Sequence, residues 1–410
     1  MTRTRFFLAS TLAMSLWGAA AHAAPTWSQP QIQAWQDKQG WMVGANFVPS
    51  TAINQLEMWQ ADTFDPKTID KELSMAKKLG MNTARVFLHD LAYEQDPAGF
   101  KARVDTFLGI AAKHGIKPML VIFDSVWNPE VKVGKQPAPV PGVHNSGWVQ
   151  SPGGAALADA AQYPRLEAYV KDIVGTFGKD ARVASWDLWN EPDNTNGSSY
   201  GAKEPKDKLL YVEKLLPQVF AWARSVSPKQ PLTSGLWQGD WSDRGKLTPI
   251  QRVQLDESDF VSFHNYDDPA KFKERVAQLG KLSARPKQLT EYMARGMNST
   301  FAGMLPILKE AHIAGYNWGF VQGKAQTEMP WDSWQKPYVD GEPKLWFHEI
   351  FRSDGKPYLK DEVKLFKRIT GVSAARRADP GKGALRISVR GPAKLRNASV
   401  GAKTVRAVAR

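Results

Sequence analysis

Eight short apolar runs alternate along the chain with segments of helical spacing, and this alternation constrains the fold more than any other feature. The runs are Trp41 to Phe47, Thr83 to Leu88, Lys117 to Asp124, Val183 to Pro192, Leu232 to Leu236, Phe260 to His264, Lys287 to Thr290 and Tyr316 to Val321. The run KPMLVIFD at 117–124 is almost continuously apolar, as a parallel strand is when helices cover the sheet. Helices are predicted at Thr68 to Leu79, Phe100 to His114, Leu166 to Phe177, Lys206 to Val226, Lys271 to Leu282 and Met304 to Ala314. Two closing helices are predicted at Trp346 to Phe351 and Asp361 to Thr370, and Gly80 and Gly115 supply helix stops. Such alternation over residues 41–371 predicts an α/β fold, a (β/α)8 TIM barrel, in preference to an open doubly wound sheet.

A barrel takes about 250 residues, so a chain of 410 has room for extensions. Residues 1–23 read as a signal peptide. Arg3 and Arg5 precede an apolar run from Phe6 to Ala21, and Ala21-His22-Ala23 is a small-x-small cleavage site. Export to the periplasm or the medium is the expectation. The apolar run is too short to predict a membrane span, and the absence of cysteine rules out disulfides and thiolate metal sites. Residues 24–40 read as a polar lead-in, and residues 372–410 as a basic, disordered tail.

The formal charge of +13 raises the question of a nucleic-acid partner. Ten basic residues against the single acid Asp379 lie from Ser373 onward, and Arg3 and Arg5 precede the barrel. The body between is nearly neutral, which excludes an electrostatic case for nucleic acid. Neither Gly-x-Gly-x-x-Gly nor a phosphate-loop Gly-Lys-Ser/Thr is present, so no nucleotide cofactor is expected. The seven histidines show no metal-binding spacing, and no metal is expected. A monomer is the expected state.

The chemistry is predicted to lie where the strands end, the face on which barrels build their sites. The fourth run, VASWDLWNEP, ends in Asn190, Glu191 and Pro192, with Glu191 close to Trp186 and Trp189. A carboxyl in such surroundings has its proton affinity raised, which suits a general acid. Glu291 closes the seventh run in KQLTEYMA and is expected to converge with Glu191. Two carboxyl groups about 5 to 5.5 Å apart can run a retaining glycoside hydrolysis. Six tryptophans, at 127, 148, 237, 241, 331 and 334, fall in predicted rim loops, and sugar stacking is expected for about half of them. The loop from Ser125 to Gln162 is long enough to predict a functional role.

With these residues in place, the sequence resembles the clan A glycoside hydrolases, most closely the cellulase-like family five. The resemblance spans the barrel and rests on Arg85, Asn190, Glu191, His264, Tyr266, Glu291 and Trp318 in that order. It implies Glu191 as acid/base and Glu291 as nucleophile, the latter kept ionised by Arg85 and hydrogen-bonded by Tyr266. It further implies that Asn190 meets the sugar 2-hydroxyl and that Trp318 forms the floor under the cleaved sugar. His264 and His89 would line the same pocket, with Trp127 and Trp237 as further substrate contacts. The implied substrate is a β-linked polysaccharide or oligosaccharide, with glucan, mannan and xylan left open. A transglycosylase using the same two glutamates and a non-catalytic polysaccharide-binding barrel are the alternatives.

Overall fold

The computed structural model describes residues 25–372. The expected signal peptide and the basic tail from residue 373 onward lie outside the described residues. Eight parallel strands form one sheet: β1 (Val43–Asn46), β2 (Thr83–Phe87), β3 (Lys117–Asp124), β4 (Ser185–Asn190), β5 (Leu232–Thr233), β6 (Val261–His264), β7 (Lys287–Tyr292) and β8 (Ala314–Asn317). The ladder runs β5-β4-β3-β2-β1-β8-β7-β6. Its two ends meet through Leu236, which donates to Ser262 O at 3.1 Å and accepts from His264 N at 2.8 Å. The sheet is therefore a closed (β/α)8 barrel. β5 is two residues long, shorter than its apolar run, because the chain leaves the β4 ladder after Thr233 and reaches β6 only at Leu236.

Several helices that cover the barrel start at a capping residue followed by proline. Asp65-Pro66, Asp96-Pro97, Thr248-Pro249 and Asp268-Pro269 open the helices Pro66–Leu79, Pro97–Lys113, Pro249–Glu257 and Pro269–Leu282. The side-chain oxygen of the first residue accepts a first-turn N–H, and proline occupies a position that has no N–H to satisfy. Helices Tyr163–Phe177, Lys208–Ser225, Phe301–Glu310 and Lys360–Thr370 complete the outer layer.

Three departures from the sequence reading have physical causes. Trp346 to Phe351 is irregular rather than helical, because its backbone bonds go to other elements: Arg295 N donates to Phe347 O, Phe347 N to Glu328 O and Ile350 N to Phe320 O. Helix Pro249–Glu257 was not foreseen, although Thr248 and Gln251 form a capping box at its start. The polar lead-in holds a helix, Gln29–Gln39, that plugs the barrel at the N-terminal ends of the strands. Ile32 from this helix packs with Met42, Met119, Phe260, Ala314 and Tyr316, and Trp35 stacks on Phe260 at 5.9 Å.

Asp259 anchors this end. Its carboxylate accepts from Trp27 N (2.8 Å), Leu232 N (2.7 Å) and the Arg224 guanidinium (3.0 Å), and it is fully buried. Asp259→Ala leaves Arg224 unpaired in the interior, and a loss of about 3 to 5 kcal/mol of unfolding free energy is expected. Urea denaturation of the two proteins measures it.

Candidate active site

β2 and β4 each carry one charged side chain, Arg85 and Asp187, into the barrel, and the two charges meet there. Arg85 donates to Asp187 Oδ2 from Nε (3.0 Å) and Nη2 (2.7 Å). It also donates to Asn190 Oδ1 (2.7 Å), Asn46 Oδ1 (2.9 Å) and Glu291 Oε1 (3.0 Å). Arg85 is fully buried, and these five bonds match its five N–H donors. It lies beneath the cleft rather than in it: of its partners Asn190 and Glu291 line the cavity, while Asp187 is fully buried.

Glu291 is the penultimate residue of β7, inside the strand rather than beyond it. Phe263 pairs with Leu289 and His264 with Glu291, so Thr290 is an extra residue in the ladder. Such a bulge re-aims the next side chain, and here Glu291 meets β6. Its second oxygen accepts from Tyr266 Oη at 2.8 Å, with His264 Nδ1 at 3.4 Å.

Glu191 follows β4 with φ +43°, a left-handed conformation that costs a non-glycine residue about 1 to 3 kcal/mol. The chain turns there, just before Pro192. One oxygen lies 2.8 Å from His264 Nδ1, and the other accepts from Asn194 Nδ2 at 2.7 Å. One atom each from Glu191, His264 and Glu291 fall within 4.8 Å of one another. Sequence spacing could not reveal this trio, because it comes from three strands. Its geometry would also admit a cation, but Arg85, Tyr266 and Asn194 already donate to both carboxyl groups.

Burial sets the protonation states. It pushes Glu191 up to about 7, with the charge of Asp193 adding to the effect and Asn194, Arg85 and Lys208 opposing it. Burial also raises Glu291, with the charge of Glu191 adding to the effect and Arg85 and Tyr266 opposing it. Burial lowers His264 to about 4, so its ring is neutral near neutral pH.

The two carboxyl groups sit in a cavity of about 700 Å3, of a size usual for small-ligand sites. Asn190, His264, Tyr266, Trp127, Trp237 and Trp318 all line it, as do Trp148, Trp241, Trp331 and Trp334. Asn190 donates one amide hydrogen to Asp124 at 2.8 Å and accepts from Arg85, which leaves one donor free for a ligand. Trp148 and Trp241 are nearly covered and serve as walls, while Trp127, Trp237, Trp318, Trp331 and Trp334 keep exposed faces. His89 is a correction. It is fully buried outside the cavity lining, where Nδ1 accepts from Leu91 N at the start of helix Asp90–Gln95. Sequence reasoning missed Asp187, Asp124, Asn46 and Asp193. A lone acid within each of two apolar runs, Asp124 and Asp187, was the available signal.

No family profile and no curated protein matches the sequence. Solved structures do. An exo-β-1,4-mannosidase from Opitutaceae bacterium strain TAV5 matches with TM-score 0.52 and 18% identity. The alignment takes in 83% of this chain but spans only 60% of that mannosidase. GH5_18 from Streptomyces cattleya in complex with GlcNAc matches with TM-score 0.54 at 14% identity, over 85% of this chain and 82% of that one. An endo-β-1,4-mannanase from Thermotoga petrophila gives 0.51 at 14% identity, over 82% and 78%. The shared feature is the (β/α)8 barrel, the fold that the resemblance to family five implies. Among the described residues no helix is long and apolar enough to cross a membrane.

NMR of proteins labelled with 13C at the Glu side-chain carboxyls tests the electrostatics. Glu191 is expected to titrate at about 7, and at lower pH in Asp193→Asn, where a neighbouring negative charge is gone. In Arg85→Met, Glu291 loses a cation and should titrate at higher pH than in the parent. An unmoved Glu291 would show that Arg85 does not set its charge.

Proposed function

We propose that the chain is a retaining β-glycoside hydrolase in which Glu291 is the nucleophile and Glu191 the acid/base. The observation that carries this reading is the approach of the two carboxyl groups to within 4.8 Å in one cleft. An inverting pair would be about 6.5 to 9.5 Å apart, to leave room for a water. In the first step Glu291 attacks the anomeric carbon while Glu191, protonated near neutral pH, gives its proton to the departing oxygen. In the second step Glu191 takes a proton from water, and the hydroxide formed displaces Glu291 from the sugar. Arg85 and Tyr266 hold the attacking carboxylate by charge-assisted and neutral hydrogen bonds.

The tryptophans and the free amide hydrogen of Asn190 support a sugar ring as the ligand. Among β-linked sugars, mannosides come first for trial, because two of the structures above are named as an exo-β-1,4-mannosidase and an endo-β-1,4-mannanase. Glucan and xylan oligosaccharides complete the panel. Residues 1–23 support export with removal of the leader, which N-terminal sequencing of the mature protein checks.

Glu291→Ala should abolish turnover, and a residual rate above about a hundredth of the parent would remove it as nucleophile. For the parent, kcat/KM should fall as the pH rises through about 7, where Glu191 loses its proton. Glu191→Ala should lose that alkaline limb. On aryl β-glycosides with good leaving groups the Glu191→Ala protein should be rescued by azide, giving the β-glycosyl azide. An α-azide or an absence of rescue would overturn the assignment.

A further inference from the structure

The two glutamates are placed by different means. Glu291 belongs to β7, so the ladder itself carries it to Arg85 and Tyr266. Glu191 lies one residue beyond β4 on a left-handed turn, and the segment that follows shares in aiming it. Residues 191–204 are irregular apart from one 3-10 turn, Gly201–Lys203.

A chain of hydrogen bonds leads from the carboxyl of Glu191 into the interior. Asn194 Nδ2 donates to Glu191 Oε2 at 2.7 Å, and its Oδ1 accepts from Asn196 N at 2.8 Å. With its oxygen so engaged, the amide can turn only a donor to the glutamate. Asn196, with φ +50°, donates from Nδ2 to Ser125 O at 2.8 Å and to Glu204 Oε1. The chain ends on Lys208, the first residue of helix Lys208–Ser225. Its Nζ donates to Glu204 Oε1 (2.7 Å), Ser125 O (3.2 Å) and Gln150 Oε1 (3.4 Å), three acceptors for the three hydrogens of an ammonium group.

Ser125 carries the same hold to the chain on both sides of the acid. Its N donates to Asn190 O at 3.1 Å and its hydroxyl to Pro192 O at 3.3 Å, while the hydroxyl oxygen accepts from Trp189 Nε1 at 3.0 Å. Lys208 is only 2% exposed, and neither it nor Glu204 is among the residues that line the cavity. A buried ion pair adds little to stability over apolar side chains of similar volume. What this one does is fasten the segment that bears Glu191.

The ammonium also acts through its charge. Glu191 is surrounded by Asp193, Arg85, Lys208, Glu291 and the uncharged ring of His264, and Lys208 by Glu204, Asp124 and Asp193. Burial and Asp193 favour the protonated acid, and the cations of Arg85 and Lys208 oppose them.

We propose that Lys208 is a positioning residue for the acid/base, holding residues 191–204 through Glu204, Asn196 and Ser125 so that Asn194 presents its donor to Glu191. This rests on the assignment of Glu191 as acid/base and names the group that aims it.

Leaving groups supply the test, because an activated phenol departs without a proton whereas a sugar or alkyl oxygen needs one. Lys208→Met is compared with the parent, as is Lys208→Met combined with Glu204→Leu, which leaves no buried charge unpaired. In the double variant Asn196 and Gln150 keep Ser125 O and Trp127 O as acceptors. In both variants kcat/KM on an alkyl β-glycoside should fall about tenfold, while on the activated aryl β-glycoside it stays within about threefold of the parent. In Lys208→Met the alkaline limb should also move to higher pH, because a cation that favoured the ionised acid is gone. Equal losses on the two glycosides, or no loss on either, in the folded double variant would overturn the proposal. An unmoved alkaline limb in a folded Lys208→Met would do the same. The Glu191→Ala protein separates this from a wrong acid: if it too loses the two activities equally, the assignment of Glu191 fails and the role of Lys208 with it.

Discussion

The buried guanidinium of Arg85 is the contact on which the rest of the cleft depends. It gathers Asn46 of β1, Asp187 and Asn190 of β4 and Glu291 of β7 around one charge. A cation taken out of water is costly unless every donor is used and an opposite charge is near. Both conditions hold, and Asp187 supplies the opposite charge at full burial. The four partners come from strands that do not all neighbour one another in the ladder, so Arg85 also fixes the interior spacing of the barrel. Without it Asp187 would be an unpaired acid in the core, and Glu291 would share the cleft with Glu191 with only the neutral groups Tyr266 and His264 to offset their repulsion.

The electrostatics of the two glutamates differ because their second neighbours differ. Glu291 has a fixed cation and a phenol on it, whereas Glu191 has a neutral imidazole, an amide and the nearby charge of Asp193. Burial is common to both and raises both. What opposes it differs between them. His264 reaches towards both carboxyl groups from one ring atom and stays uncharged near neutral pH, since burial disfavours its protonated form.

Much of this was legible in the sequence, and the limits are physical. Apolar runs located all eight strands, and β3 was read with its observed bounds because Lys117 and Asp124 bracket its apolar core. Glu191 and Glu291 were legible because charges at strand ends stand out against apolar runs. β5 was read too long because apolarity reports burial, and Leu236 is buried by the closing contact without being in the ladder. Trp346 to Phe351 was read as a helix for the same reason. His89 was misplaced because a histidine at a strand end has two uses, ligand contact or helix cap, and sequence does not say which. The bulge at Thr290 and the hydrogen bonds that join residues 140–146 to residues 325–338 were not legible. Both depend on pairings between residues far apart in the chain.

The plug at the barrel floor has its own consequence for how the chain comes together. Helix Gln29–Gln39 is made first, yet the surface it covers is built from Met42, Met119, Phe260, Ala314 and Tyr316, and Trp27 is fastened to Asp259, 232 residues downstream. During synthesis from the N-terminus, Ile32 and Trp35 therefore emerge long before their partners exist. Contacts of such long range are slow to form, because the intervening chain must be ordered before they yield any stabilisation. A nascent chain released short of β8 would hold Ile32 and Trp35 without their partners beside an open ring of strand ends, a combination prone to association with its own kind.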